Sequence, residues 1–178
     1  QQLNRWMIEH FKEISKHWRV GTGAGMIDYE LKGNMPVRNF QGGRFPGVEK
    51  VNVQAMCGKY LQKWAGCFGC PISCKRVVRA EEPFAVDPSY GGPEYETLAA
   101  FGPNCDVNNL EAVMKANELC NRYGIDTLSA AVAISFAMEC REKGILSQED
   151  TDGLDLRFGN AEAMLRMIER IALRKGFG

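Results

Sequence analysis

Hydrophobic residues recur at three- and four-residue steps through most of this chain, and that periodicity constrains its fold more than any other feature. Residues 109–123 set Leu110, Val113, Met114, Leu119, Cys120 and Tyr123 among charges, with Gly124 as a natural C-terminal stop. Residues 161–174 repeat the pattern with Met164, Leu165, Ile168, Ile171 and Ala172. Residues 3–17 carry it as Trp6, Met7, His10, Phe11 and Ile14, continued at Trp18, which predicts an amphipathic helix that buries its apolar stripe. Residues 51–64 carry it through Val53, Met56, Cys57, Tyr60, Leu61 and Trp64. No period-two alternation bounded by hairpin turns stands out, so the predicted class is all-α, one multihelical domain over residues 1–178.

Two irregular stretches interrupt the helices. Residues 20–47 are dense in glycine and broken by Pro36 and Pro46, with a short helix predicted at 26–31; residues 81–92 hold Pro83, Pro88, Gly91 and Gly92. Stretches of this kind build sites more readily than they link domains. Residues 93–101 open a helix with proline and place Glu94 and Glu96 in its first turn, where unpaired N–H groups favour carboxylates. The longest uncharged apolar run, residues 127–138, falls short of the roughly 20 residues that span a bilayer, so 127–143 is predicted to be a buried helix and no membrane role is expected. The 22 basic and 22 acidic residues cancel, which removes the electrostatic footprint of a nucleic-acid partner. No export signal opens the sequence, and seven cysteines, an odd number, suit a reducing compartment better than a disulfide framework, so a cytoplasmic location is expected. The start at Gln1 and the abrupt end suggest a piece of a longer protein.

The chemistry concentrates in three segments. Cys67, Cys70 and Cys74 form a C-x2-C-x3-C array with Pro71 after the second cysteine. Three thiolates in one turn-rich loop suit three corners of an iron-sulfur cube, leaving one corner for a distant ligand. The same spacing is open to a zinc site or to thiols that only pack. His10 and His17 read as packed histidines one heptad apart, Cys57 as core, and Cys120 and Cys140 as helix residues; Cys105, in a loop, is the one further cysteine placed to ligate. Lys75, Arg76 and Arg79 read either as a solvated basic face or as an offset to a cluster's negative charge, and Trp64, Phe68 and Ile72 as its apolar shield. Glu94 and Glu96, about 200° apart on a helix, cannot both face one site. Residues 121–127 form a turn in which Asp126 or Thr127 caps the next helix, or in which a carboxylate and backbone amides meet a polar heterocycle.

Taken in order, Cys67 to Cys74, Gly92-Pro-Glu-Tyr-Glu-Thr and Tyr123-Gly-Ile-Asp-Thr-Leu-Ser, supported upstream by Met35-Pro-Val-Arg-Asn-Phe, resemble the aldehyde ferredoxin oxidoreductase family of tungsten-containing enzymes. The resemblance implies oxidation of aldehydes to carboxylates at tungsten (or molybdenum) held by two pterins, with electrons passing through a [4Fe-4S] cluster to ferredoxin. It implies that Cys67, Cys70 and Cys74 are three cluster ligands, with the fourth in a following helical domain. It makes Glu96, with Glu94 in reserve, the carboxylate beside tungsten. Asn121, Gly124, Ile125 and Asp126 match the family's pterin-binding turn, Asn121 standing for an aspartate and Ile125 for a leucine. On this reading the chain is the first helical domain, its partners the missing domains of the same protein. Alone it is expected to be inactive, to show an empty site, and to self-associate through uncovered apolar surface. The rival expectation is a helical zinc-binding or interaction module without redox chemistry.

Overall fold

The computed structural model describes residues 1–10 and 18–178. Its elements are α1 (Gln2–His10), α2 (Met26–Leu31), α3 (Val48–Val51), α4 (Val53–Lys59), β1 (Leu61–Ala65), β2 (Lys75–Val78), α5 (Tyr95–Phe101), α6 (Leu110–Tyr123), α7 (Thr127–Glu142) and α8 (Ala161–Leu173). The fold is mostly helical, as the periodicity predicts, with a single two-stranded sheet among the described residues.

Helices α5 to α8 form the packed body. α6 lies against α8 and α5 against α7, so their apolar faces meet in one core. Phe101, Met114, Ile134, Met138, Met164 and Ile168 are fully buried there. Removing such side chains from water contributes about 1.5–3 kcal/mol each. Three of these helices begin where an N-cap side chain satisfies an exposed N–H: Asn109 accepts from Ala112 N at 2.8 Å, Asp126 from Ser129 N at 2.7 Å and Asn160 from Ala163 N at 3.1 Å. α6 stops at Gly124, whose left-handed backbone (φ 68°) lets its own N–H and that of Ile125 return to Asn121 O and Cys120 O.

The predicted helix over 51–64 divides. Asn52 leaves helical geometry, caps α4 through Ala55 N at 2.8 Å, and α4 ends at Lys59. From Leu61 the chain runs as β1, paired antiparallel with β2 in the register Trp64 with Arg76 and Ala65 with Lys75, and irregular between Leu61 and Lys63. This hairpin was hidden because β2 buries Arg76 and Val78 on one face, and an arginine in an inward position disguises the alternation. The cysteine array is the connection between the strands.

Two helices bury less than their patterns predict. None of α1's residues is buried, and the rest of the predicted 3–17 helix, with Phe11, Ile14 and His17, lies outside the described residues. α7 is not buried all round: Ala130, Ala131, Ile134 and Met138 face the core, while Leu128 and Phe136 are exposed. No helix among the described residues is long and apolar enough to cross a membrane.

Arg38, Asn39 and Phe40 form a left-handed turn, with φ of 48°, 50° and 64°. Backbone hydrogen bonds from Arg38 N to Pro103 O and from Asn39 N to Asn104 O, both 3.1 Å, hold it against the body. Arg38 pairs with Asp106 at 2.8 Å and lies 4.6 Å over the Phe158 ring.

Candidate functional site

A cleft of about 560 Å³ opens between the hairpin and the starts of α5 and α7. The end of the hairpin supplies Ala65, Lys75 and Arg76, the irregular segment Gly91 and Gly92, α5 Glu96 and Thr97, and the helical pair Asn121 and Thr127. Segments far apart in sequence thus share one wall, because β2 leads directly from Cys74 into it.

The two glutamates separate sharply in environment. Glu94 is spent on ion pairs: Oε2 meets Arg76 at 2.7 Å and accepts from the Thr22 hydroxyl at 3.1 Å, and Oε1 meets Lys75 at 3.0 Å. Burial pushes its carboxyl up, but the Arg76 and Lys75 cations outweigh burial and hold it below the usual range. Glu96 lines the same cleft and is exposed. Thr22 adds a cap from outside the helix, accepting from Tyr95 N at 3.1 Å.

Arg76 departs from one of its two expected readings. Its side chain is fully buried, not on a solvated face. Nη1 donates to Val20 O at 2.8 Å and to Cys74 O at 2.9 Å, and Nη2 donates to Pro93 O at 2.9 Å. Gly21 makes room for it: φ is 78°, and a Cβ there would stand 2.3 Å from Nη1. Arg79 does lie in solvent, paired with exposed Glu81.

On the far side, Thr97 and Thr127 hydroxyls share a 2.8 Å hydrogen bond that ties α5 to α7. Asn121 lines the cleft and donates back to Asn117 O at 2.8 Å. The turn after it offers fewer amides than expected: Gly124 N and Ile125 N are used in ending α6. What it presents outward is the exposed Asp126 carboxylate, held ionised and below its usual range by the Ser129 hydrogen bonds. Asn121 and both glutamates therefore line the cleft, against the expectation that only one glutamate could face it, because Glu94 is extended ahead of the first helical residue; Gly124, Ile125 and Asp126 are not among the lining residues.

Cys67 and Cys70 are exposed and Cys74 is half-buried, all three as free thiols. Cys70 N donates to Cys67 O at 3.0 Å, closing a turn between the first two. Three thiols on one loop are soft donors of the kind that iron-sulfur clusters and zinc both take. Among the described residues no three His, Cys, Asp or Glu side chains gather around one point. Cys105 is corrected as a further ligand: it is fully buried, its thiol points to Ala131 O at 3.7 Å, and burial pushes its ionisation far up. Cys120 is likewise buried, its thiol raised to about 12. His10 accepts no such role either, stacking on Trp6 with ring centres 4.6 Å apart. The expected apolar shield is only partial, because Phe68 is fully exposed, while Ile72 and Trp64 are half-buried.

A family model described as aldehyde ferredoxin oxidoreductase, domains 2 & 3, matches residues 2–178. A tungsten-containing aldehyde ferredoxin oxidoreductase of Pyrococcus furiosus is 40% identical over 164 residues, covering 90% of this chain and 26% of that protein. The protein of the same name from Thermococcus kodakarensis is 39% identical over 164 residues, again 90% of this chain and 26% of its own length. An aliphatic sulfonate oxidoreductase, WOR-like subunit, of Pyrococcus furiosus is 24% identical over 183 residues, covering all of this chain and 29% of that protein. The chain therefore spans about a quarter of the length of these tungsten-containing relatives.

Proposed function

Because this chain belongs to the aldehyde ferredoxin oxidoreductase family, we propose that it is the first helical domain of an enzyme that oxidises aldehydes to carboxylates and passes the electrons to ferredoxin. In this reading Cys67, Cys70 and Cys74 hold three irons of a [4Fe-4S] cluster and a cysteine outside this chain holds the fourth. The tungsten (or molybdenum) bis-pterin centre, when bound, accepts the two electrons that leave the aldehyde carbon.

The observation that carries the proposal is the shared cleft. Glu96, Asn121 and Thr127 face the same space as Lys75 and Arg76, which follow the last cysteine directly. Glu96 is the carboxylate free to work there. It takes a proton from the water that adds to the aldehyde carbonyl, a role closed to Glu94 because both its oxygens are engaged. Asn121 and Thr127 give polar partners to a heterocycle at the cleft wall, and Gly124, Ile125 and Asp126 lie between them in sequence. Phe68, at the tip of the cysteine loop, is fully exposed and is the residue we assign to contact with the domain supplying the fourth ligand.

Iron and acid-labile sulfide per chain after anaerobic reconstitution test this reading. The chain is expected to take up both, and a Cys67→Ser, Cys70→Ser, Cys74→Ser variant to take up neither. Uptake of zinc without iron or sulfide would instead favour a helical zinc-binding module.

A further inference from the structure

We propose that Arg76 is a positioning residue that couples the cysteine loop to the acidic segment of the cleft. The argument begins with connectivity. One guanidinium, fully buried, grips three segments that the sequence separates widely: Val20 before the glycine-rich turn, Cys74 at the end of the cysteine loop, and Pro93-Glu94 at the start of α5. Its backbone joins the same knot, since Gly92 N donates to Arg76 O at 2.7 Å. Two residues beyond Glu94 stands Glu96, so whatever fixes Pro93 and Glu94 to Cys74 also fixes the distance from the cysteine loop to the open carboxylate.

The composition of this knot is selective. A lysine carries the same charge, but its three donors radiate from one compact nitrogen and cannot serve Cys74 O, Val20 O, Pro93 O and Glu94 together as a planar five-donor fork does. A purely stabilising ion pair needs only Glu94. Here most of the hydrogen bonds go to backbone carbonyls, and one of them belongs to a cysteine of the array. Nε is buried without a partner, so the side chain tolerates an unsatisfied donor while its Nη atoms reach all three segments.

The inference rests on the proposed role of the cysteine loop, but its first readout needs no cluster. Arg76→Met leaves Glu94 half-buried beside Lys75 alone, so the informative variant is Arg76→Met with Glu94→Gln, which removes both charges and keeps the volume. In the metal-free chain, the rate of alkylation of each cysteine is followed by mass spectrometry. Cys74 is expected to react about fivefold faster in the double variant, the factor by which losing a hydrogen bond of ordinary strength raises local opening, with Cys67 and Cys70 unchanged. Arg76→Lys is expected to show the same selective rise with the charge retained.

Equal rates at Cys74 in all chains, or an equal rise at all three cysteines, would overturn the proposal and leave Arg76 as a stabilising ion pair. The second readout is the half-life of iron release from the reconstituted chain, expected to shorten in both variants. A longer protein that supplies the fourth ligand and still takes up no iron or sulfide would defeat the reading of the loop as a cluster site, while the selective change at Cys74 would still stand or fall by itself.

Discussion

Helices α5 to α8 bury Phe101, Met114, Ile134 and Ile168 completely, whereas the loop between β1 and β2 leaves Phe68 fully exposed and Cys67 and Cys70 open to solvent. Of the seven thiols, two are buried and two exposed, with Cys57, Cys74 and Cys140 between them. In the helical body a cysteine is a small hydrophobe: Cys105 and Cys120 are surrounded by apolar neighbours that penalise the thiolate. On the hairpin Cys67 and Cys70 are accessible thiols, and the loop that carries them is held by a backbone turn and by hydrogen bonds from Asn4 to Gly69 O and from Arg76 to Cys74 O. The contrast teaches that the body is self-sufficient, while the hairpin displays groups whose partners are not supplied by its own packing.

The sharpest way to break this comparison is to count reactive thiols. Burial raises Cys120 from 9.0 to about 12, which leaves about a thousandfold less thiolate at neutral pH, and thiolate is the species that alkylates. Cys67 and Cys70 are therefore expected to be modified first by iodoacetamide in the native chain, with Cys105 and Cys120 protected until it unfolds. Early modification of Cys120 would mean that α6 opens locally and that the body is less closed than its packing indicates.

A mutation in the body tests its cohesion next. Phe101→Ala is expected to destabilise the chain by about 3–5 kcal/mol in urea unfolding, because the ring is fully enclosed and the cavity can only partly collapse. The alkylation rates of Cys67 and Cys70 in the fraction that remains folded should not change. If they rise in step, body and hairpin are one cooperative unit.

Much of the body was legible in sequence for the reason that makes it stable. The stripes of α6 and α8 agree with their caps, Asn109 and Asn160, and with the stop at Gly124, so local and global signals point the same way. The hairpin was illegible because its strands are short and its inward positions include Arg76, a residue that reads as surface until its backbone acceptors are known. The cleft was half legible. Glu94, Glu96, Asn121 and Thr127 were named from their motifs, but nothing in the sequence shows that Thr97 would bond Thr127 across the cleft or that Thr22 would reach Glu94. α7 misled in the opposite direction, since an uninterrupted apolar run does not reveal that Leu128 and Phe136 stay outside.

Caps supply a smaller effect. Asn109→Ala removes the acceptor for Ala112 N and is expected to lower stability by about 1 kcal/mol, measured as a shift of the urea midpoint with unchanged slope. A change in slope would show that α6 unfolds separately from the rest of the body.

The smallest expected effect sharpens the comparison from the hairpin side. Phe68 makes no buried contact, so Phe68→Ser forfeits no packing in this chain, and substitutions at such positions stay within about 0.5 kcal/mol. An unchanged urea midpoint is the expected result. The ring is nonetheless a large apolar group at the tip of the cysteine loop, between Cys67 and Cys70 in sequence, a placement that folding of the chain alone does not require. If the same substitution leaves stability untouched but weakens iron retention in the longer protein, the exposure of Phe68 reflects a contact made outside this chain. A loss above 1 kcal/mol in the chain itself would instead mean that the loop folds back onto the body, and the division between a closed helical region and an open ligand-bearing hairpin would have to be redrawn.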